Sequence, residues 1–336
     1  MKDSAECTTR KELTRRFSNR VVYRGWLVGV VIPAKDEAAH ISEVVRGLPK
    51  SVDYCIVIDD GSTDETKILA DSEISDAIFD GSVIQTKGRG AGFAIDAGYQ
   101  ALCHHFFDDK KWLVVVVAGD GQMDPYDLES LLDPIVEDTA DYVKGNRCDH
   151  PAGLGKMPLR RKIGTALLSF WTTLACGRRF QDPQCGFTAT SGAVLLGWDW
   201  TKSWPGYGYP NYWLMRLTEQ RYVVAEVPVK AIYSGQKSGL RIISFIAKVA
   251  PSLLAGIHRR GWKWYALGEI RSSWRIPLIC LWLAGFFALL SPQTMLFTPL
   301  FWAAAHIIDR RVVEECVYLL RDSKSTAVLK AESVVH

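Results

Sequence analysis

Absent from this 336-residue chain is any C-x-x-C pair, the spacing that marks redox and zinc sites. Eight cysteines are scattered instead, and Cys55, Cys176 and Cys280 sit in apolar runs where a thiol behaves as a small hydrophobe. A reduced, cytosolic setting is the simpler reading. A one-sided charge is also missing. With 40 basic and 37 acidic side chains the net charge is +3, which argues against a dedicated nucleic-acid binder. Basic residues nevertheless crowd the N-terminal tail and the stretch from Arg241 to Arg275. Residues 1 to 24 lack an apolar run of the ~7 to 15 residues a secretory signal needs, so the main body of the chain is expected in the cytoplasm. No internal repeat or low-complexity tract is present.

Charge disappears altogether from Ile276 to Ile308, 33 residues without Asp, Glu, Lys or Arg. At about 1.5 Å per residue that is too long for one crossing of a ~30 Å hydrocarbon core. Pro292 divides it into pieces of about 15 residues, each short of the ~17 to 25 a span requires. A re-entrant or shallow helical hairpin is expected, both ends cytoplasmic, because Arg271, Arg275, Arg310 and Arg311 flank it. A buried helical pair is the alternative. Upstream, Leu240 to His258 places apolar residues along one helical face, as an interfacial or a core-facing helix would.

The first half of the chain alternates strand, loop and helix. Trp26 to Pro33 and Trp112 to Val117 are valine-rich runs of the kind buried on both sheet faces. Tyr54 to Ile58, Val83 to Gln85 and Asp141 to Lys144 complete the strands. Helices are predicted over Ala38 to Gly47, after Ser62 and Glu65 as a capping box, from the Gly88 to Gly92 turn to about His104, and over Tyr126 to Glu137. Leu159 to Leu174 also reads as an apolar helix. This is a doubly wound α/β pattern, in which ligands bind at the carboxyl ends of the strands. The loops so selected are Pro33 to Glu37, Asp59 to Asp64, Lys87 to Gly92, Ala118 to Asp124 and Gly145 to Arg147.

Asp59, Asp60 and Asp120 would bring two acidic loops to one crevice, a cluster that calls for a cation. Mg²⁺ or Mn²⁺, which take hard oxygen ligands, suit it, with Gln122 adding an amide contact. Taken alone, Asp120-Gly121 is equally a tight turn. Arg147, Arg160 and Arg161 carry guanidinium forks suited to phosphate, and arginines at a helix start are poorly placed for the macrodipole. The tryptophans from Trp198 to Trp213 read as packing, and the histidines have no metal-ligand spacing.

Five motifs in order resemble the family-2 glycosyltransferases of the GT-A fold, over about Val28 to Ser238. They are most similar to the branch of dolichol-phosphate-mannose and polyprenyl-phosphate glycosyl synthases. The motifs are Val31-Ile32-Pro33-Ala34-Lys35-Asp36-Glu37, Asp59-Asp60-Gly61-Ser62-Thr63-Asp64, Gly88-Arg89-Gly90-Ala91-Gly92, Asp120-Gly121-Gln122-Met123-Asp124-Pro125 and Gln181-Asp182-Pro183-Gln184-Cys185-Gly186-Phe187. The resemblance implies a GT-A mixed sheet flanked by helices and a nucleoside diphosphate sugar held by Pro33, Lys35, Glu37, Asp60 and Arg89. It implies a metal at Asp120 and Gln122, and a loop carrying Lys237 and Ser238 that closes over the diphosphate. The acidic residue usual two positions before the metal-loop Asp is here Ala118, so metal and nucleotide are expected to bind together.

The implied reaction is inverting transfer of a hexose, from a GDP-mannose or UDP-glucose type of donor, to a polyprenyl phosphate at the cytoplasmic face of a membrane. Asp182 is the candidate general base if the acceptor is a hydroxyl. With a phosphate acceptor it orients other groups. A hydroxyl acceptor on a glycan or glycolipid, and a non-catalytic nucleotide-sugar-binding membrane protein, are the alternatives. The expected organisation is a basic tail (1–25), a catalytic domain (26–233), a donor-closing loop and juxtamembrane helix (234–275), a hydrophobic hairpin (276–308) and a cytoplasmic tail (309–336).

Overall fold

The computed structural model describes residues 22–151, 159–204, 206, 208–232, 242–270 and 272–333, with side chains for all of these except 159–161, 242–248 and 318–333. In chain order the elements are β1 (Leu27–Ala34), α1 (Ile41–Arg46), β2 (Tyr54–Asp59), α2 (Thr66–Asp76), β3 (Asp80–Gln85), α3 (Ala91–His105) and β4 (Trp112–Val116). There follow α4 (Leu128–Val136), β5 (Tyr142–Asn146), α5 (Leu159–Cys176), β6 (Thr188–Ser191), α6 (Gly192–Leu196), α7 (Tyr209–Glu219) and β7 (Val224–Pro228). The chain ends in α8 (Ile242–Gly261), α9 (Arg275–Ala288) and α10 (Thr298–Ser333).

The seven strands form one mixed sheet in the order β3-β2-β1-β4-β6-β5-β7. β1 pairs in parallel with β2 and β4, and β3 with β2, whereas β6 runs antiparallel to both β4 and β5. All strands but β6 therefore deliver their carboxyl ends to one edge. Because β6 runs the other way, the chain just before it, Gln181 to Phe187, enters the sheet from that same edge. The strand order reverses direction between β1 and β4, where an open α/β sheet leaves a crevice.

Burial on both faces follows from composition. Val28, Val30 and Ile32 of β1 pack with Leu128, Leu131, Leu132 and Ile135 of α4 on one face. Val31 and the β4 residues Val114 and Val116 face Tyr99 and Leu102 of α3 and Trp213 of α7 on the other. Trp198 stacks on Trp213 with ring centroids 3.9 Å apart, so these two tryptophans are core, as read from the sequence.

Three local expectations are corrected. The Ser62/Glu65 capping box does not form: α2 begins at Thr66 behind Glu65 with no side-chain cap, and Ser62 Oγ accepts from Asp36 N at 2.9 Å. The predicted helix at Tyr126 opens as a 3₁₀ turn, Pro125–Asp127, capped by Asp124, whose carboxylate accepts from Tyr126 N. Strands β6 and β7 lay outside the predicted pattern, because a four-residue Thr-rich strand and a strand interrupted by Glu226 carry little periodic signal.

The uncharged segment does form a helical pair, α9 and the start of α10. Among the described residues no helix is long and apolar enough to cross a membrane.

Candidate active site

The loop after β1 is zipped to the loop after β2. Asp36 takes a left-handed backbone (φ 54°), and its carboxylate accepts from Thr63 N at 2.7 Å and Thr63 Oγ1 at 3.1 Å. Glu37 N donates to Thr66 Oγ1 at 2.8 Å, and Ala38 N to Asp64 at 3.1 Å. Asp60 N donates to Ala34 O, and Gly119 N donates to Pro33 O, which draws the loop after β4 alongside. Pro33, Lys35, Glu37, Asp60, Asp120 and Gln122 are thus brought to one stretch of the sheet edge.

The two acidic residues after β2 are spoken for by the protein itself. Asp59, fully buried, accepts from Ser62 N and Gln85 Nε2, both at 3.0 Å. Asp60 accepts from Thr86 Oγ1 at 2.5 Å, Arg89 N at 3.0 Å and Gly90 N at 2.7 Å. Burial opposes its charge, but the Thr86 hydroxyl, the Gly90 and Arg89 amides and the nearby Lys35 ammonium outweigh it and hold the carboxyl below its ordinary value. The expectation that Asp59 and Asp60 add to a cation-seeking cluster is corrected: amides and hydroxyls already satisfy them. Asp60 instead fixes the glycine-rich turn at the start of α3, where exposed Arg89 lies 4.1 Å over the Phe93 ring.

The loop after β4 turns through Gly121, whose φ of 70° an L side chain rarely adopts, with Gln122 N donating to Asp120 Oδ1 at 3.0 Å. Burial, then the neighbouring Asp120 charge, raises the Glu37 carboxyl above its ordinary value. Gln122 O accepts from Ile232 N at 3.0 Å, and Met123 bridges to Ala231. The chain that leads to Lys237 and Ser238 therefore departs from beside this loop. Those two residues lie outside the described residues.

Among the described residues no three His, Cys, Asp or Glu side chains group to hold a metal. The oxygens of Asp120 and Gln122 are of the hard type a divalent cation prefers. Any such ion would take its remaining ligands from nucleotide phosphate and water.

Farther along the edge, Arg147 follows the end of β5 and grips Asp182, with Nε to Oδ2 at 2.6 Å and Nη2 to Oδ1 at 2.8 Å. Asp182 is fully buried. Burial alone would raise its carboxyl, but the Arg147 hydrogen bonds and charge, with Lys144 behind them, hold it below the usual range. Arg160 and Arg161 fall in the first turn of α5, and their side chains lie outside the described residues.

Two contributors were not singled out from the sequence. Lys144, fully buried in β5, donates to Cys185 O, and Glu226 of β7 accepts from Gln181 N and Asp182 N. Both hold the loop that carries Asp182. Burial depresses the Lys144 ammonium and raises the Glu226 carboxyl. The available signal was one charged residue inside each of two short strands, Lys144 after Tyr142-Val143 and Glu226 within Val224–Pro228.

A model of glycosyl transferase family 2 matches residues 29–194. The UDP-N-acetylglucosamine–dolichyl-phosphate N-acetylglucosaminyltransferase of Methanococcus voltae is 30% identical over 221 residues, spanning 62% of this chain and 86% of its own. The fold is shared with a solved mycobacterial protein, at TM-score 0.53 and 22% identity over 70% of this chain and 76% of that one. It is shared too with glucosyl-3-phosphoglycerate synthase of Mycobacterium tuberculosis, at TM-score 0.50 and 21% identity over 70% of this chain and 80% of that one. A five-motif sheet edge, a GT-A-like mixed sheet and a relative matched over most of its length agree: the chain belongs to glycosyltransferase family 2 and is a glycosyltransferase.

Proposed function

We propose that this enzyme transfers a hexose, with inversion, from a nucleoside diphosphate sugar of the GDP-mannose or UDP-glucose type to a polyprenyl phosphate at the cytoplasmic face of a membrane. The observation that carries the acceptor class is the Arg147–Asp182 fork. A buried carboxylate with both oxygens held by one guanidinium, and its pKa held low, is a poor proton acceptor. A phosphate nucleophile is already anionic and needs no base. Asp182 orients Arg147, and Arg147 with Arg160 and Arg161 holds the acceptor phosphate.

On the donor side, Pro33, Lys35 and Glu37 line the nucleotide with Arg89, whose backbone Asp60 fixes. Lys237 and Ser238 close over the diphosphate. Asp120 and Gln122 would hold Mg²⁺ or Mn²⁺ together with the nucleotide, and such an ion would supply positive charge against the departing diphosphate. An acceptor phosphate oxygen attacks the anomeric carbon as its bond to the diphosphate oxygen breaks. The nucleoside diphosphate leaves with the bonding pair, and no proton moves.

The M. voltae relative supports the acceptor class by its name, which also puts UDP-N-acetylglucosamine in the donor panel. The test is a panel of UDP and GDP sugars, first scored by thermal shift with and without Mg²⁺. The selected donor, radiolabelled, is then incubated with a polyprenyl phosphate. Label in an acid-labile lipid fraction is the expected result. Label appearing only on a glycan or glycolipid hydroxyl overturns the acceptor assignment.

A further inference from the structure

A broad uncovered apolar surface lies outside the catalytic sheet. α9 and the start of α10 fold back on each other. Trp302 packs so closely on Gly285 that a Cβ there would stand 2.1 Å from the indole nitrogen, and Thr298 Oγ1 donates to Gly285 O at 3.2 Å. One side of the base packs on the rest of the chain, with Leu278 buried beside Trp264 and the Trp282 and Phe286 rings against His258 of α8, while the other side and the tip are open: Ile276, Phe287, Leu290, Leu296 and Leu300 are each 66–78% exposed. No charged residue occurs from Ile276 to Ile308. A protein-binding face carries a polar rim around an apolar centre. Here both arms and the connecting tip are uncharged throughout, which matches hydrocarbon better than a protein partner.

The lengths select how deep such a surface reaches. α9 has 14 residues, about 21 Å of helix, and Thr298 to Ile308 adds a second arm of about 16 Å. A hydrocarbon core is ~30 Å thick, so each arm suits about one leaflet. At the base, polarity returns with interfacial chemistry. Exposed Trp262 and Trp274 precede α9, Arg275 donates to Tyr265 O and Ala266 O, and Arg310 and Arg311 follow the second arm.

The base is also locked to the catalytic domain. Arg260 of α8 holds both carboxylate oxygens of Asp309, at 2.7 and 2.6 Å, Tyr265 OH donates to the same carboxylate at 2.6 Å, and Arg260 Nε donates to Ala175 O of α5 at 3.1 Å. All three side chains are buried.

We infer that residues 276–308 form a wedge that enters one leaflet of a bilayer and returns, docking the catalytic domain rigidly through the Arg260–Asp309 fork rather than tethering it. The use of such a wedge rests on the proposed membrane-borne acceptor, whereas its insertion can be measured without any acceptor.

The test uses the full chain carrying Gln293→Cys at the exposed tip and Cys280→Ser, with phosphatidylcholine/phosphatidylglycerol vesicles free of prenyl phosphate. A membrane-impermeant maleimide is applied outside, or trapped in the lumen, and the peptide bearing position 293 is read by mass spectrometry. Rapid labelling without vesicles, and at least tenfold suppression on vesicles with either placement of the reagent, is the expected result. Undiminished labelling from outside shows that the tip does not insert, and labelling from the lumen shows a spanning hairpin; each overturns the inference. Suppression without vesicles, with a dimer by light scattering, assigns the surface to a second copy and also overturns it.

A Leu290→Asp/Leu296→Asp variant, its melting temperature checked against the parent, should lose flotation with vesicles while still glycosylating a short water-soluble prenyl phosphate. Retained flotation counts against the wedge. If the wedge inserts but no prenyl phosphate is glycosylated, the acceptor assignment falls and the wedge stands.

Discussion

Arg147 and Asp182, 35 positions apart in sequence, meet as a two-pronged ion pair that a third contact completes, Arg147 N to Asp182 Oδ2 at 3.2 Å. The pair joins the end of β5 to the loop feeding the antiparallel β6. Removing one partner of a buried pair leaves the other charge uncompensated and costs about 3–5 kcal/mol. Asp182→Asn should accordingly lower urea-unfolding stability by about 3 kcal/mol near neutral pH. The sign follows from a depressed folded pKa: the stabilisation is present above the ordinary Asp value of about 3.9 and is lost as pH falls through the lower folded value. The gap between wild type and variant should stay level from about pH 5 to 8 and close below about pH 4. Transfer to a prenyl phosphate should fall ~10–100-fold, less than the loss of several orders expected if Asp182 were a base acting on a hydroxyl.

Glu37 has the opposite electrostatics. Burial and then Asp120 raise its carboxyl, so the ionised form is penalised in the fold. That penalty is absent below the ordinary Glu value of about 4.3 and complete above the raised folded value. Glu37→Gln should therefore stabilise the ligand-free protein at pH 7 by on the order of 1 kcal/mol or less, seen as a higher melting temperature, and the gain should vanish as pH falls toward 4. The same variant should weaken donor binding, read as a smaller thermal shift on adding the sugar nucleotide with Mg²⁺. A variant less stable than wild type at pH 7 would contradict the electrostatic account.

The strands on the donor side of the sheet were legible because β1, β2 and β4 are apolar runs ending in Asp- or Gly-rich turns, a signal contained in adjacent residues. Chain order and the carboxyl-end rule then selected the loops that meet. What stayed hidden depends on pairs distant in sequence. Asp60 reads as a possible ligand until Arg89 and Gly90, 29 and 30 positions on, donate their amides to it. Lys144 and Glu226 stand as single charges within short strands, and only the insertion of β6 between β4 and β5 gives their charges a loop to hold. That the uncharged stretch folds as two helices was legible from its charge depletion and from Pro292, which divides it. Its attachment through Arg260 and Asp309, 49 positions apart, was not.

Close packing makes Gly92 a steric test of the glycine-rich turn. A Cβ placed there would stand 1.9 Å from Trp204 O and 2.8 Å from the Tyr209 ring, and a backbone carbonyl cannot swing aside as a flexible side chain can. Gly92→Ala should destabilise the fold by about 1–3 kcal/mol, the range for forcing a methyl into a packed site. Calorimetry should show the loss. An unchanged melting temperature would mean that Trp204 does not sit against the first turn of α3.

Asp120 and Gln122 test whether metal and nucleotide bind as one unit. Among the described residues no three acidic, His or Cys side chains group to hold a metal, and position 118 is alanine, so the protein alone offers too few ligands for a tight cation site. In the wild type, Mg²⁺ alone should shift the melting temperature little. Donor with Mg²⁺ should shift it by more than the separate shifts combined, since only the ternary complex completes the coordination. Asp120→Ala should abolish that excess and reduce transfer by at least ~10³-fold, the scale of losing charge stabilisation at a departing group. Gln122→Ala, which removes a neutral ligand, should shrink the excess and lower transfer ~10-fold, a loss of about 1.4 kcal/mol. Tight stoichiometric Mn²⁺ binding to the ligand-free protein would contradict joint binding, because it would not need the nucleotide's phosphates.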